Sequence, residues 1–150
     1  MDLEDKIAKQ VSVFLENKSG RLREVCRTIG DAGINIRALC IADTSDFGIL
    51  RLILDDPERA LQALLDRGFS VGETSVLAVQ IPDRPGGLSG VLAALPGEGV
   101  NVEYMYAFFA RREGKAVVVI RVAEAQTRPV AEALEAAGVV LLRAEEVYAM

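Results

Sequence analysis

A chain of 150 residues with a net charge of −5 and no histidine closes several functional routes before any motif is read. It has no polybasic run to meet nucleic-acid phosphates or an anionic membrane surface, and no imidazole for a general base, a His-based triad or a His-ligated metal. Its composition, 51% hydrophobic and 26% charged, is that of a globular protein forming one domain or two small ones.

The acidic opening MDLEDKIAKQ lacks the apolar core of a signal peptide. The apolar stretches that follow are short of the roughly 20 residues a membrane helix needs. Cys26 and Cys40 have no CxxC spacing. The expectation is a cytoplasmic protein with reduced thiols. Val11, Val13 and Leu15 alternate with polar neighbours, which predicts a half-buried strand. The turn Glu16-Asn17-Lys18-Ser19-Gly20 follows. Leu22, Val25, Cys26 and Ile29 then recur with helical period, placing Cys26 on a buried stripe. Ile34-Asn35-Ile36 opens a second strand reaching about Ala42, Asp43–Asp46 turns, and Gly48–Leu54 is a third strand. Asp55 or Asp56 caps the next helix, with Pro57 in its first turn and Gly68 at its end. Leu61, Leu64 and Leu65 supply that helix's buried face, and Phe69–Leu77 is the last strand.

The rest of the chain repeats this plan. Residues 11–36 align without a gap on residues 77–102, with identities at Val13/Val79, Gly20/Gly86, Leu22/Leu88, Val25/Val91, Gly33/Gly99 and Asn35/Asn101. The same offset continues through Phe47-Gly48 and Glu113-Gly114 into the runs ILRLIL and KAVVVI. Beyond them Leu64 aligns with Leu134 and Gly68 with Gly138, which places four extra residues near Val122–Gln126. The second copy reads as strand 76–81, helix 87–95, strand 100–109, strand 115–122, helix 128–137 and strand 139–148. The fold class is therefore α+β: two tandem ferredoxin-like βαββαβ units, at residues 1–76 and 77–150. Each has an antiparallel sheet with its helices on one face. The other copy or a partner chain is expected to cover the opposite face.

The chemically informative feature is the first strand–helix junction, Asn17-Lys18-Ser19-Gly20 with Leu22, and its counterpart Asp83-Arg84-Pro85-Gly86 with Leu88. Glycine there lets backbone approach a ligand, and the helix start offers N–H groups that suit a carboxylate. Asn35 and Asn101 begin the second strand, expected beside the first, and a side-chain amide both donates and accepts. The plainer alternative makes these residues turn glycines and a local cap. The recurrence of loop, glycine and asparagine as a set weighs against it.

The pattern apolar strand, N/D-[KR]-[SP]-G-x-L, amphipathic helix, G-[IV]-N-[IV] resembles the ACT domain, the small-molecule-binding module of amino-acid metabolism. The resemblance spans residues 9–76 and 77–150 and implies a stand-alone tandem ACT protein without a catalytic domain or cofactor. It implies a free amino acid bound at an interface between units, gripped in serine-binding members by a loop asparagine and a strand-two asparagine from neighbouring units. Asn17 and Asn35 match those positions. In the second copy Asn101 matches, but Asp83 replaces the loop amide and would repel a carboxylate. Ile36, Cys40 and Tyr104 are further candidates near the pocket. Tyr104, Tyr106, Phe108 and Phe109 form either an aromatic wall for a ligand or cover for the sheet. Asp43 and Asp46 lack the ligand series of a Ca²⁺ loop, and Arg111-Arg112-Glu113-Gly114 reads as a polar hairpin. A homodimer is expected, since small units leave sheet edges and faces to cover. The competing reading is a ligand-independent oligomerisation and protein-interaction module. An enzyme on this fold ranks last, because no phosphate cradle or cysteine pair is present. A regulated enzyme is a natural partner of the sensor.

Overall fold

The inward alternation of Val11, Val13 and Leu15 holds along β1 (Ala8–Glu16), where all three are buried and Phe14 between them is exposed. The structure, a computed structural model, describes residues 3–43, 46–97, 99–108 and 114–150. After β1 come α1 (Arg21–Asp31), β2 (Ile36–Asp43), β3 (Phe47–Leu54), α2 (Pro57–Asp66) and β4 (Ser70–Pro82). Then follow α3 (Gly87–Leu92), β5 (Tyr104–Ala107), β6 (Lys115–Arg121), α4 (Thr127–Ala136), β7 (Val140–Leu141) and α5 (Ala144–Tyr148). Short 3-10 turns lie at Leu3–Lys6 and Glu124–Gln126.

The chain divides into two compact units, Lys9–Thr74 and Met1–Ala8 with Ser75–Met150. In the first, β3 pairs antiparallel with both β1 and β2, and β4 adjoins β1. In the second, β6 pairs antiparallel with β4 and β5, and β7 pairs with β4. Both follow the ferredoxin-like strand order, fourth–first–third–second. Each unit has its own core, and the two cores are built from equivalent positions. Val11, Val13, Leu15 and Val25 fill the first, while Leu77, Val79, Ile81 and Val91 fill the second. Side chains alternate along a strand, so this one row points at the helices in each unit.

Several expectations need correction. β4 is one unbroken strand where two adjoining strands were expected. Strand 139–148 shrinks to Val140–Leu141, and Ala144–Tyr148 is helical. Good helix formers follow Arg143, whose backbone N–H donates to the Glu146 carboxylate at 3.2 Å. Helix 87–95 ends at Leu92, and strand 100–109 is regular only over Tyr104–Ala107. Leu65 is 49% exposed, so the buried face of α2 is Ala60 and Leu64, with Leu61 packed at its edge. On α1 the buried stripe is Val25, Thr28 and Ile29; Leu22 is 41% exposed and Cys26 half-buried.

The alignment of the third strands also shifts. Leu52 pairs with Val11, but Ile120, not Val118, pairs with the equivalent Leu77. The core confirms it: Leu50, Leu52 and Leu54 correspond to Val118, Ile120 and Val122. Two of the four extra residues therefore lie between Ala107 and Val118, not all near the 3-10 turn Glu124–Gln126. The expected turn residues Thr44 and Ser45, Phe109, and Arg111-Arg112-Glu113 lie outside the described residues. The opening segment packs on the second unit, with Leu3 and Ile7 against its core and Lys6 bonded to Glu135 at 2.7 Å. Among the described residues no helix is long and apolar enough to cross a membrane.

Candidate functional site

The strand–helix junction recurs with the same backbone geometry in both units. Gly20 precedes α1 with φ 87°, and Gly86 precedes α3 with φ 82°, in the left-handed region that costs any residue with a Cβ. The Asn17 N–H donates to the Asp46 carbonyl at 2.9 Å, and the Asp83 N–H to the Gly114 carbonyl at 3.0 Å. Each junction is thereby tied to the following hairpin, and the side chains of Asn17, Lys18, Ser19 and Asp83 stand exposed.

In the first unit this junction borders a cavity of about 250 Å³, lined by Leu15, Asn17, Lys18, Arg21, Leu22 and Ile41 among others. Three of the expected residues thus come together: Asn17, Lys18 and Leu22. The Lys18 ammonium lies 2.8 Å from the Glu16 carboxylate, and its hydrogen bond and charge hold that carboxyl below its usual range. Arg21, which sequence reasoning passed over, also lines the cavity. One terminal nitrogen of its guanidinium meets Glu24 at 3.1 Å, and the group lies 5.2 Å from the Phe69 ring centre. Its Nε–H is buried with no hydrogen-bond partner. The available signal was a cation directly after the junction glycine.

The remaining expected residues lie elsewhere. Asn35 is not beside the junction, because β3 intervenes between β1 and β2. It also sits at the opposite end of the sheet. Asn17 is level with Asp46, whereas at the other end the Asn35 N–H donates to the Asp55 carboxylate at 3.0 Å and the Asn35 carbonyl accepts from the Asp55 N–H at 3.1 Å. The length of β3 separates them, roughly 25 Å at 3.3 Å per residue. Ile36 packs against the first core. Cys40 pairs across the sheet with Arg51; burial pushes its thiol up, and a hydrogen bond to Arg51 works the other way. In the second unit Gly86 borders a cavity of about 270 Å³ with Arg84, Gly87 and Lys115. Leu88 is 37% exposed, and Asn101 is exposed and precedes β5. Tyr104 alternates with Met105, whose side chain packs on the core, so Tyr104 and Tyr106 occupy the other sheet face. Among the described residues no group of three or more His, Cys, Asp or Glu side chains is placed to hold a metal ion.

A family model described as an ACT domain pair matches residues 6–138. The crystal structure of a protein from Bacteroides thetaiotaomicron is 46% identical over 97% of this chain and 98% of that one, with a TM-score of 0.88. The ligand-free regulatory subunit of aspartate kinase from Thermus thermophilus is 16% identical, over 89% of this chain and 93% of that one, with a TM-score of 0.60. The corresponding subunit from Thermus flavus is 16% identical, over 89% and 97% of the two chains, with a TM-score of 0.58. At that identity the Thermus subunits share the fold alone. No curated protein matches the sequence.

Proposed function

This chain belongs to the ACT domain pair family, and on that footing we propose that it is a non-catalytic, cytoplasmic regulatory protein binding a free amino acid or similar small metabolite between ACT units. The observation that carries the reading is the separation of the two asparagines. Asn17 and Asn35 occupy opposite ends of one sheet, so a ligand gripped by both residue types must be held by two units. A second copy of the chain supplies the missing end, which makes a homodimer part of the proposal. Asn17 and Lys18 then face the ligand carboxylate, while the Asn35 side chain is exposed and available to an ammonium group. The junction in the second unit carries Asp83 and is the weaker site, since like charges repel. A ligand of this size binds at roughly micromolar to millimolar Kd, suited to reading metabolite pools. The Thermus aspartate kinase subunits are named as regulatory, which supports a regulated enzyme as partner.

Thermal melting against the twenty amino acids tests this. A ligand at one hundred times its Kd adds about 2.7 kcal/mol, a rise of roughly 5–11 °C for a chain of this length. A selective rise that disappears in Asn17→Ala and Asn35→Ala, each still folded, is the expected result. A flat panel would defeat the sensor reading and leave the ligand-independent assembly module in its place.

A further inference from the structure

The backbone at the end of the first strand and the start of the first helix is alike in the two units, but its charge is not. In the first unit the Glu16 and Glu24 carboxylates pair with Lys18 and Arg21 at 2.8 and 3.1 Å, so the two cations are matched. In the second unit Pro82, Gly87 and Gly90 take the places of Glu16, Arg21 and Glu24, while Arg84 keeps the cation of Lys18. The neighbouring strand changes too: Phe47 pairs with Glu16, whereas Lys115 pairs with Pro82. Both carboxylates are therefore lost, and two cations remain.

The second unit's cavity of about 270 Å³ is lined by Arg84, Lys115, Gly87 and Gly90 among others, with no carboxylate in its walls. Arg84 and Lys115 are exposed, so a ligand in the open cavity reaches them, and among the described residues no carboxylate pairs with either. The backbone holds them side by side. The Asp83 N–H donates to the Gly114 carbonyl at 3.0 Å, and Arg84 and Lys115 directly follow those two residues. Gly90 adds an independent observation. A Cβ at Gly87 would lie 2.1 Å from the Pro82 carbonyl oxygen, but one at Gly90 would meet nothing within 4 Å, and Gly90 has no positive φ. Glycine inside a helix is less stable than alanine. Nothing in the packing of α3 requires it at Gly90, and its effect is to keep one wall of the cavity clear.

We propose that this cavity binds a phosphoryl dianion, as inorganic phosphate or as the phosphate of a small phosphomonoester. Two cations on two different elements suit a dianion, and a planar guanidinium meets two phosphate oxygens at once. The volume lies just below the roughly 300–1,000 Å³ of small-molecule pockets, which fits a phosphoryl group on a short carbon chain and not a nucleotide. Asn17, Lys18 and Asn35 do not line this cavity, so the site stands or falls separately from the interface site proposed above.

Amide NMR titrations of the full chain decide it, at about pH 8, above the second phosphate pKa of about 6. The probes are inorganic phosphate, glycerol 3-phosphate and glycerol, each up to about 10 mM, where millimolar affinities are measurable. The expected result is saturable shifts at the amides of Gly86, Gly87 and Gly90 with both phosphates and none with glycerol. Tighter binding of glycerol 3-phosphate would identify an ester as the ligand and equal binding the free anion; either supports the site. That comparison needs no variant to fold. Affinity should fall at least tenfold in Arg84→Gln, in Lys115→Gln and in Gly90→Glu, which restores the first unit's carboxylate, and stay unchanged in Asn17→Ala. No saturable shift at those glycines with either phosphate, an equal response to glycerol, or wild-type affinity in folded Arg84→Gln and Lys115→Gln would each overturn the proposal. Affinity lost in folded Asn17→Ala would reassign the anion to the interface site and overturn this one.

Discussion

Replacing Gly87 by alanine puts a methyl carbon 2.1 Å from the Pro82 carbonyl oxygen and 3.1 Å from its carbonyl carbon. Carbon and oxygen in van der Waals contact need more than an ångström beyond that, and both partners are backbone. Neither can swing aside as a side chain would. The Pro82 carbonyl already accepts the Arg84 N–H at 3.0 Å, and the Gly87 N–H donates to the Arg84 carbonyl at 3.0 Å. Relief of the clash must therefore open this turn or lift the start of α3. Forced overpacking of this kind costs about 1–3 kcal/mol, a fall in Tm of roughly 2–12 °C for a chain of this length. Gly90, three residues on in the same helix, has open space where its Cβ would stand. There alanine restricts the unfolded chain at no cost to the native state and stabilises by about 0.4–1 kcal/mol. Scanning calorimetry on the two variants should show shifts of opposite sign. If Gly87→Ala melts at or above the parent, or the two shift alike, the close approach of Pro82 to α3 is refuted.

Leu64→Ala, which empties a fully buried place in the first core, should cost about 2–5 kcal/mol in urea unfolding, whereas the same change at the adjacent, half-exposed Leu65 should stay within about 0.5 kcal/mol. Equal losses would mean that the face of α2 is wrongly assigned. The thiols of Cys26 and Cys40 are both pushed up by burial. A raised folded pKa gives stability that is complete below the unfolded thiol value of about 8.5 and lost as pH rises through the folded one. The urea midpoint should accordingly fall as pH rises above about 8.5, and fall less in a Cys26→Ala, Cys40→Ala double variant; an identical fall in both would refute the assignment.

The duplication, the order of elements and the fold class were legible in the chain itself, because they rest on local signals. Strand alternation, helical period and junction glycines recur at a fixed offset, and equivalent residues fill both cores. What failed were inferences that depend on which strand lies against which. A shift of two residues leaves a strand's inward face inward, so periodicity could not tell whether Val118 or Ile120 corresponds to Leu52; only pairing with Leu77 decided it. Asn35 seemed close to Asn17 because the two follow one another along the chain, but β3 is inserted between their strands and the full sheet length parts them. Leu65 and Leu22 fit the helical pattern and yet face outward, since a stripe is wider than the surface available to bury it. The C-terminal segment Ala144–Tyr148 follows the apolar run 139–142 and was expected to extend it as strand, but Glu146 reaches back to the Arg143 N–H and starts a helix turn. Arg21 carried no motif at all. Its place among Phe14, Phe47 and Phe69 comes from β1, α1, β3 and the turn before β4 meeting at one corner of the first unit. Chain-local chemistry fixes which elements form, whereas a cavity is defined by the packing of residues distant in sequence, and only the tertiary structure brings those together.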